Sequence, residues 1–333
     1  MHLPKENEVM STLKLTFVNV GYGEAILLSL FGDEQCGREF RMLIDGGSAD
    51  AKEYADSTSG RIPLADYLRQ HGISDIDVMV NTHIHEDHTC GLLQAAKYYK
   101  PASFWQTLRT DFWKTMPLLD ESEEETVTGK NYIRAINDYV SLCEIAGNGL
   151  RCAHAGKEVC LHKDLKISIL APDAEEMKDL HHLMEGIRDA SNAGERRKAR
   201  VLADGRMNNL SLILMLEFAG RRILLPGDTN AMGFPAQADL SADIFKVGHH
   251  GQKDGVSQEL LARVKPDYIV CCASSDRKYN SAPPEAVRMM AQSGAKLYFS
   301  DCPPLPEEFA PLVPHEALTF TITQDGRIKA EYE

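Results

Sequence analysis

Residues 81–91 read NTHIHEDHTCG, packing three histidines and two acids into eleven positions. Groups of this kind lose hydration when buried and repel when like-charged, so their crowding suits an exposed loop or a site for positive charge. His83 and His85 stand two apart, and in extended backbone that alternation turns both imidazoles to one side. Asp87 and His88 follow at once, so a bending loop can offer a second pair beside the first. Neutral imidazole and carboxylate suit divalent zinc, manganese or iron, and with Cys90 as the lone nearby thiol a sulfur-rich structural zinc site does not fit. Four ligands this close would crowd one ion and close its open position. Two ions accommodate them.

Two ions need further donors, and the chain offers them after other apolar runs. Asp228 follows RRILLPG, and His249 and His250 follow ADIFKVG, each time a strand-like run, then glycine, then a ligand-type side chain. A carboxylate such as Asp228 can bridge two ions, and water shared between them is acidified towards a pKa of ~7. Asp87, Asp228 and His250 are accordingly the candidates closest to the chemistry.

The elements that must position these groups fall into three blocks. From Leu13 to about Ala102, LKLTFVNV, EAILLSLFG and FRMLIDGGS read as strands, PLADYLRQHG as a helix, and IDVMVNTH as a buried strand running into the histidines. Residues 103–206 differ in character. They hold FWQTL, an acidic run within 118–125, the helix-like NYIRAINDYVSLCEIAG, the strand LKISILAP, and a polar helical stretch over 173–200 containing the basic patch GERRKAR. The acidic run reads as a solvated or mobile loop. The third block returns to β–α alternation with SLILMLEFAG, RRILLPGD, ADIFKVGHHG, PDYIVCCAS and AKLYFSD, and ends in a hairpin around QDGR. Two β-rich halves that deliver polar residues from strand ends to a shared seam imply an α/β sandwich.

Composition bounds the partners. The 333 residues carry 36 Lys and Arg against 49 Asp and Glu, a net charge of −13. That field disfavours indiscriminate binding to nucleic acid or anionic lipid, which needs clustered cations. The start MHLPKENEVMSTLKLTF is too polar for an export leader, and no apolar run reaches a membrane span. Eight irregularly spaced cysteines then read as reduced thiols, and the expected location is cytoplasmic. No protein partner is evident, and the oligomeric state is left open.

THIHEDH, the upstream LIDGG, LLPGD and VGHHG together resemble the motif series of the metallo-β-lactamase fold superfamily. VNVGYGEAILL, NNLSLILML and FKVGHHG are most similar to the branch holding the metallohydrolase domain of DNA-uptake competence proteins and bacterial phosphorylcholine esterases. The resemblance covers the first and third blocks. It implies one domain over 1–333, a four-layered αββα sandwich of α/β (α+β) class, with 103–206 largely a helical insert. It further implies two divalent ions, zinc with manganese or iron as alternatives. His83 and His85 would hold one, Asp87 and His88 the other; Asp228 would bridge, and His249 would complete the second set. His250 could replace His249 or donate to a substrate oxygen, and Asp45 would orient a ligand histidine by hydrogen bond. Where many members place a third histidine for the first ion, this chain has RMNNLSL, so Asn208 or Asn209 stands there as a weak ligand.

The expected function is hydrolysis by a metal-activated water, on a small anionic phosphodiester or a nucleic-acid end. Carboxylic ester, lactone or thioester hydrolysis is the alternative, and a metal-binding sensor or di-iron oxidoreductase component is the alternative of another class. The insert starts and finishes near the metal edge, so it is expected to close over the ions as a lid. Trp105, Trp113, Arg196, Arg197 and Lys198 are expected to select substrates there.

Overall fold

A computed structural model describes residues 11–32, 39–56, 58–162 and 164–333. The polar start 1–10 and Cys36 lie outside the described residues. The first block forms β1 (Thr12–Val18), β2 (Ile26–Phe31), β3 (Phe40–Ile44), α1 (Leu64–Gln70), β4 (Val78–Val80) and α2 (Glu86–Ala96). The middle block forms β5 (Ser103–Gln106), α3 (Val127–Ala146), β6 (Leu150–Cys152), β7 (Glu158–His162), β8 (Leu165–Ala171), α4 (Ala174–Arg188) and α5 (Ala193–Met207). The third forms β9 (Ile213–Phe218), β10 (Arg221–Leu225), β11 (Ile244–Lys246), α6 (Gln258–Val264), β12 (Tyr268–Cys271), α7 (Pro284–Gln292), β13 (Lys296–Phe299), β14 (Ala317–Thr323) and β15 (Ile328–Tyr332).

The strands make two sheets, β15-β14-β1-β2-β3-β4-β5-β6 and β13-β12-β11-β10-β9-β8-β7. Their inner faces meet through Leu15, Leu28, Met42 and Ile44 from one sheet and Ile167, Leu214, Leu216 and Ile244 from the other, all buried. Helices cover both outer faces. Leu64, Leu68, Leu92, Ile133, Ile136 and Met184 pack on the first sheet, and Leu260, Val264, Val287 and Met290 on the second. The expected αββα sandwich is what the chain forms.

The middle block is less separate than its composition implies. β5 and β6 extend the first sheet in parallel register from β4, and β7 and β8 build the far edge of the second. The segments outside the sheets are those carrying α3, α4 and α5. The polar stretch 173–200 is also two helices rather than one. Asp173 opens α4 in a capping box with Glu176, and the Asn192 side chain accepts from Glu195 N to start α5, which runs on to Met207.

Site placement follows from direction. β3, β4 and β5 run parallel, as do β10, β11 and β12 in the facing sheet. The segments leaving β3, β4, β10 and β11 carry Asp45, the His83 cluster, Asp228 and His250, respectively. Glycine allows close approach at this edge. A Cβ on Gly46 would lie 2.0 Å from Leu92 N, and one on Gly248 would lie 2.0 Å from Thr229 O.

Candidate metal centre

The histidine run begins where β4 ends. Asn81 braces the turn, its Nδ2 donating to His83 O at 2.9 Å and to Thr89 Oγ1 at 3.1 Å. Asp87 and His88 do not sit in a bending loop. α2 starts at Glu86, and both occupy its first turn, where the helix dipole favours the Asp87 carboxylate.

Four histidines turn one nitrogen inward and have a polar group at the other. His88 Nδ1 lies 2.7 Å from Asp45 Oδ2. His83 Nδ1 lies 3.0 Å from Thr82 Oγ1, which itself donates to Asp45 Oδ2 at 2.6 Å. His250 Nδ1 donates to the Cys272 carbonyl at 3.0 Å. These contacts leave Nε2 of His83, His88 and His250 directed towards the centre. His85 is turned the other way: its Nδ1 faces His83 Nε2 at 3.0 Å, and its Nε2 points outward.

The inward atoms converge. His250 Nε2 is 3.0 Å from both Asp87 Oδ2 and Asp228 Oδ2, and His88 Nε2 is 3.3 Å from both Asp228 Oδ2 and His250 Nε2. Asp87, His88, Asp228 and His250 thus form one donor quartet, its four ligand atoms within 4.8 Å of one another. Glu24, Asp45 and His88 lie equally close, but there the Nδ1 of His88 is already held by Asp45.

The electrostatics of the site suit a cation. Burial lowers His88, yet Asp228, Asp45 and Asp87 outweigh it and hold the imidazole well above its usual range. Burial likewise opposes protonation of His250, and Asp228 and Asp87 still push it up to about 9. Burial opposes ionisation of Asp228, but His250, His88 and Lys246 keep its carboxyl well below the usual range. His83 is lowered, by burial first and then by His88 and His85. Two carboxylates facing the imidazoles of His88 and His250 in a buried pocket make a donor set suited to a divalent cation of zinc, manganese or iron type, which would displace the imidazole protons.

Several expectations need correction. His250, fully buried, joins the quartet, whereas His249 turns to Asp254, its Nδ1 2.9 Å from Oδ1. Both have positive φ, 46° and 49°, and this uncommon backbone in the turn after Gly248 swings the second imidazole inward and the first outward. Asn209 is used in the chain turn, its Oδ1 accepting from Asn230 N at 3.0 Å; Asn208 lines the cleft, with a buried Oδ1 that has no hydrogen-bond partner among the described residues. Trp105 lies between the sheets with Nε1 on Ser103 Oγ, and Trp113 donates to Thr110 O beside the first core, so neither lines the cleft. The basic patch faces the acidic run: Arg196 pairs with Glu123 at 2.7 Å and Arg197 with Glu124 at 3.2 Å, while Lys198 is exposed away from the cleft lining. Opposite charges two helices apart in sequence have found each other, so the acidic run is a clamp and not a mobile loop.

The insert nevertheless walls the site. A cleft of about 240 Å³ is lined by Thr128, Asn131 and Tyr132 of α3, Asp204 of α5 and Asn208, facing Tyr22, His249, Gln252 and Lys278 across His85, Asp87 and Asp228. Sequence reasoning missed Lys246, Glu24, Tyr22 and Lys278. Lys246 is wholly buried, paired with Glu24, and places Nζ 2.7 Å from Gly227 O and 3.3 Å from Asp228 Oδ1. The Tyr22 ring lies 4.5 Å from that of His250, and its hydroxyl accepts from Gln252 Nε2 at 3.0 Å. A charged residue inside the apolar run ADIFKVG was the available signal for Lys246.

Residues 34–151 match the sequence model described as the metallo-beta-lactamase superfamily. ComE operon protein 3 of Bacillus subtilis (strain 168) is 21% identical over 304 residues, covering 86% of this chain and 32% of that protein. The chain therefore spans about a third of the length of this curated relative. Among solved structures, a diphosphatase from the PhnP family is 11% identical over 94% of this chain and 98% of its own, with a TM-score of 0.42. A Cronobacter sakazakii metallo-beta-lactamase with a HARLDQ motif is 14% identical over 84% of this chain and 88% of its own, with a TM-score of 0.38. Among the described residues, no helix is long and apolar enough to cross a membrane.

Proposed function

We infer that this chain is a hydrolase of the metallo-β-lactamase superfamily that holds two divalent metal ions, zinc in the first instance, and cleaves small phosphodiesters or nucleic-acid ends. The observation that carries this reading is the set of inward-facing donors at the floor of one cleft, with His83, His88 and His250 fixed from behind.

His83 Nε2 and His85 Nδ1 would hold one ion. Asp87, His88 and His250 would hold the other, with Asp228 as a further carboxylate ligand. When bound, such ions supply an activated water and neutralise charge on phosphoryl oxygens. The chain's own residues do the rest. Asp45 fixes the tautomer of His88 directly and that of His83 through Thr82. Lys246 holds the outer oxygen of Asp228, leaving the inner one for the centre. Lys278 lines the cleft with a cation shared with Glu53 at 2.9 Å, which favours an anionic substrate. His249, backed by Asp254, stands on the cleft wall where a leaving oxygen would need a proton. The cleft, about 240 Å³, suits a single phosphodiester with a small substituent better than an internal stretch of duplex.

The test is a panel of chromogenic phosphodiesters, phosphomonoesters and carboxylic esters, run on protein reloaded with zinc, manganese or iron. Phosphodiester turnover that stops on chelation and returns with metal is expected. Turnover confined to carboxylic esters would replace this reading with the ester one, and two irons without hydrolysis would replace it with a redox one.

A further inference from the structure

Three of the four inward-facing histidines are fixed from behind by the core fold, His88 by Asp45, His83 by Thr82, and His250 by a strand carbonyl. His85 has no such partner in the core. Its outward Nε2 is buried and makes no aligned hydrogen bond among the described residues. The atom it meets is Asp204 Oδ1, 3.1 Å away on α5. Asp204 lines the cleft and is part-exposed, so its carboxylate is not locked by other packing. Tyr132 of α3 closes the other side of His85, ring edge to face at 5.7 Å between centroids.

α5 is built to present this group. Arg200, Asp204 and Asn208 are four residues apart and share one face. Arg200 is 2% exposed and reaches Glu123 at 3.1 Å, which ties α5 to the segment before α3. One turn on stands Asp204 against His85, and one turn further Asn208 with its unpartnered Oδ1 in the cleft. The clamp, the carboxylate and the amide follow one another down the helix.

We propose that Asp204 is the positioning residue of His85, holding Nε2 as the protonated nitrogen so that Nδ1 stays bare beside His83 Nε2, and that the insert thereby completes the first metal position. The core makes one position by itself and the other only with α5 in place. A carboxylate behind a ligand imidazole fixes ring orientation and raises ligand basicity, and its loss typically costs 10–100-fold in metal affinity. This inference rests on the metal reading above, and its test separates the two.

Zinc is titrated against a competing chelator into the protein of residues 1–333, wild type, Asp204→Ala and Asp204→Asn. In parallel, long-range proton–nitrogen NMR reads the His85 tautomer in metal-free protein. Wild type should take two ions. Asp204→Ala should weaken one of them about 10–100-fold and leave the other unchanged. Asp204→Asn, which keeps an acceptor oxygen, should recover part of the loss. Metal-free wild type should show His85 protonated at Nε2, and Asp204→Ala should show a mixture. Equal weakening of both ions would mean a general structural role and overturn the proposal, as would unchanged affinities together with an unchanged tautomer. Two ions bound but indifferent to Asp204 sinks this inference alone. No zinc uptake by wild type sinks the metal reading, and the positioning of a metal ligand with it.

Discussion

At the scale of single residues, the centre is a set of imidazoles whose outer nitrogens decide what the inner ones can do. His250 is the residue on which the sequence and the structure part. The motif VGHHG offers two adjacent histidines, and only the positive φ at both turns the second inward. His250→Ala is therefore expected to remove one ion per chain in elemental analysis, while His249→Ala keeps both and lowers turnover. A second expectation is protonic. Burial disfavours the charged form of His250, but Asp228 and Asp87 raise it to about 9, so metal-free protein carries that proton at pH 7. A divalent ion must displace it, so affinity should rise with pH from neutral towards about 9. The sign for stability runs the other way: a pKa raised above the unfolded ~6.5 stabilises metal-free protein below that value, and the gain fades as pH rises through about 9. Calorimetry in buffers of different ionisation enthalpy reads the proton release, and its absence at pH 7 would contradict the assignment. The cluster 83–88 and Asp228 were legible because donor residues followed apolar runs and glycines. Lys246 and Asp204 were not, because one lies inside an apolar run and the other on a polar helix, where spacing carries no sign of the partner.

At the scale of elements, burial and charge explain what periodicity could not. β6 and β7 are short, LRC and EVCLH, with too little alternation to stand out beside the helices around them. Their place in the two sheets comes from pairing with β5 and β8. The insert helices are held by Glu123 and Glu124 against Arg196, Arg197 and Arg200, contacts between segments about 73 residues apart that no local pattern announces. Arg200→Ala should loosen α5, seen as faster hydrogen exchange over residues 193–207 with the sheets unaffected. Unchanged exchange there would leave the clamp without a function. Lys246 makes a prediction of a different size. Removing it as Lys246→Met leaves Glu24 and Asp228 buried without their cation, and breaking a buried pair costs about 3–5 kcal/mol. Urea unfolding of metal-free protein measures that loss.

At the scale of the whole molecule, two sheets bring the chain's donors to one edge, and helices carried outside the sheets narrow the opening above them. The layered sandwich was readable from strand-like runs in both halves, whereas which side chains wall the cleft depended on how α3 and α5 dock. On the proposed function, the net charge of −13 would disfavour polyanions, and the cationic Lys278 lining the cleft would suit a small anion. Asp228 is the atom-level junction of this arrangement, meeting His88, His250 and Lys246 at once. The most direct measurement is phosphodiester turnover by zinc-reloaded wild type and Asp228→Asn, with metal content and folding checked in the same samples. A folded variant with lowered metal content and a loss on the order of 10³-fold or more is the expected result, the equivalent of several kcal/mol of lost charge stabilisation. Turnover like wild type in folded Asp228→Asn would contradict the two-ion account.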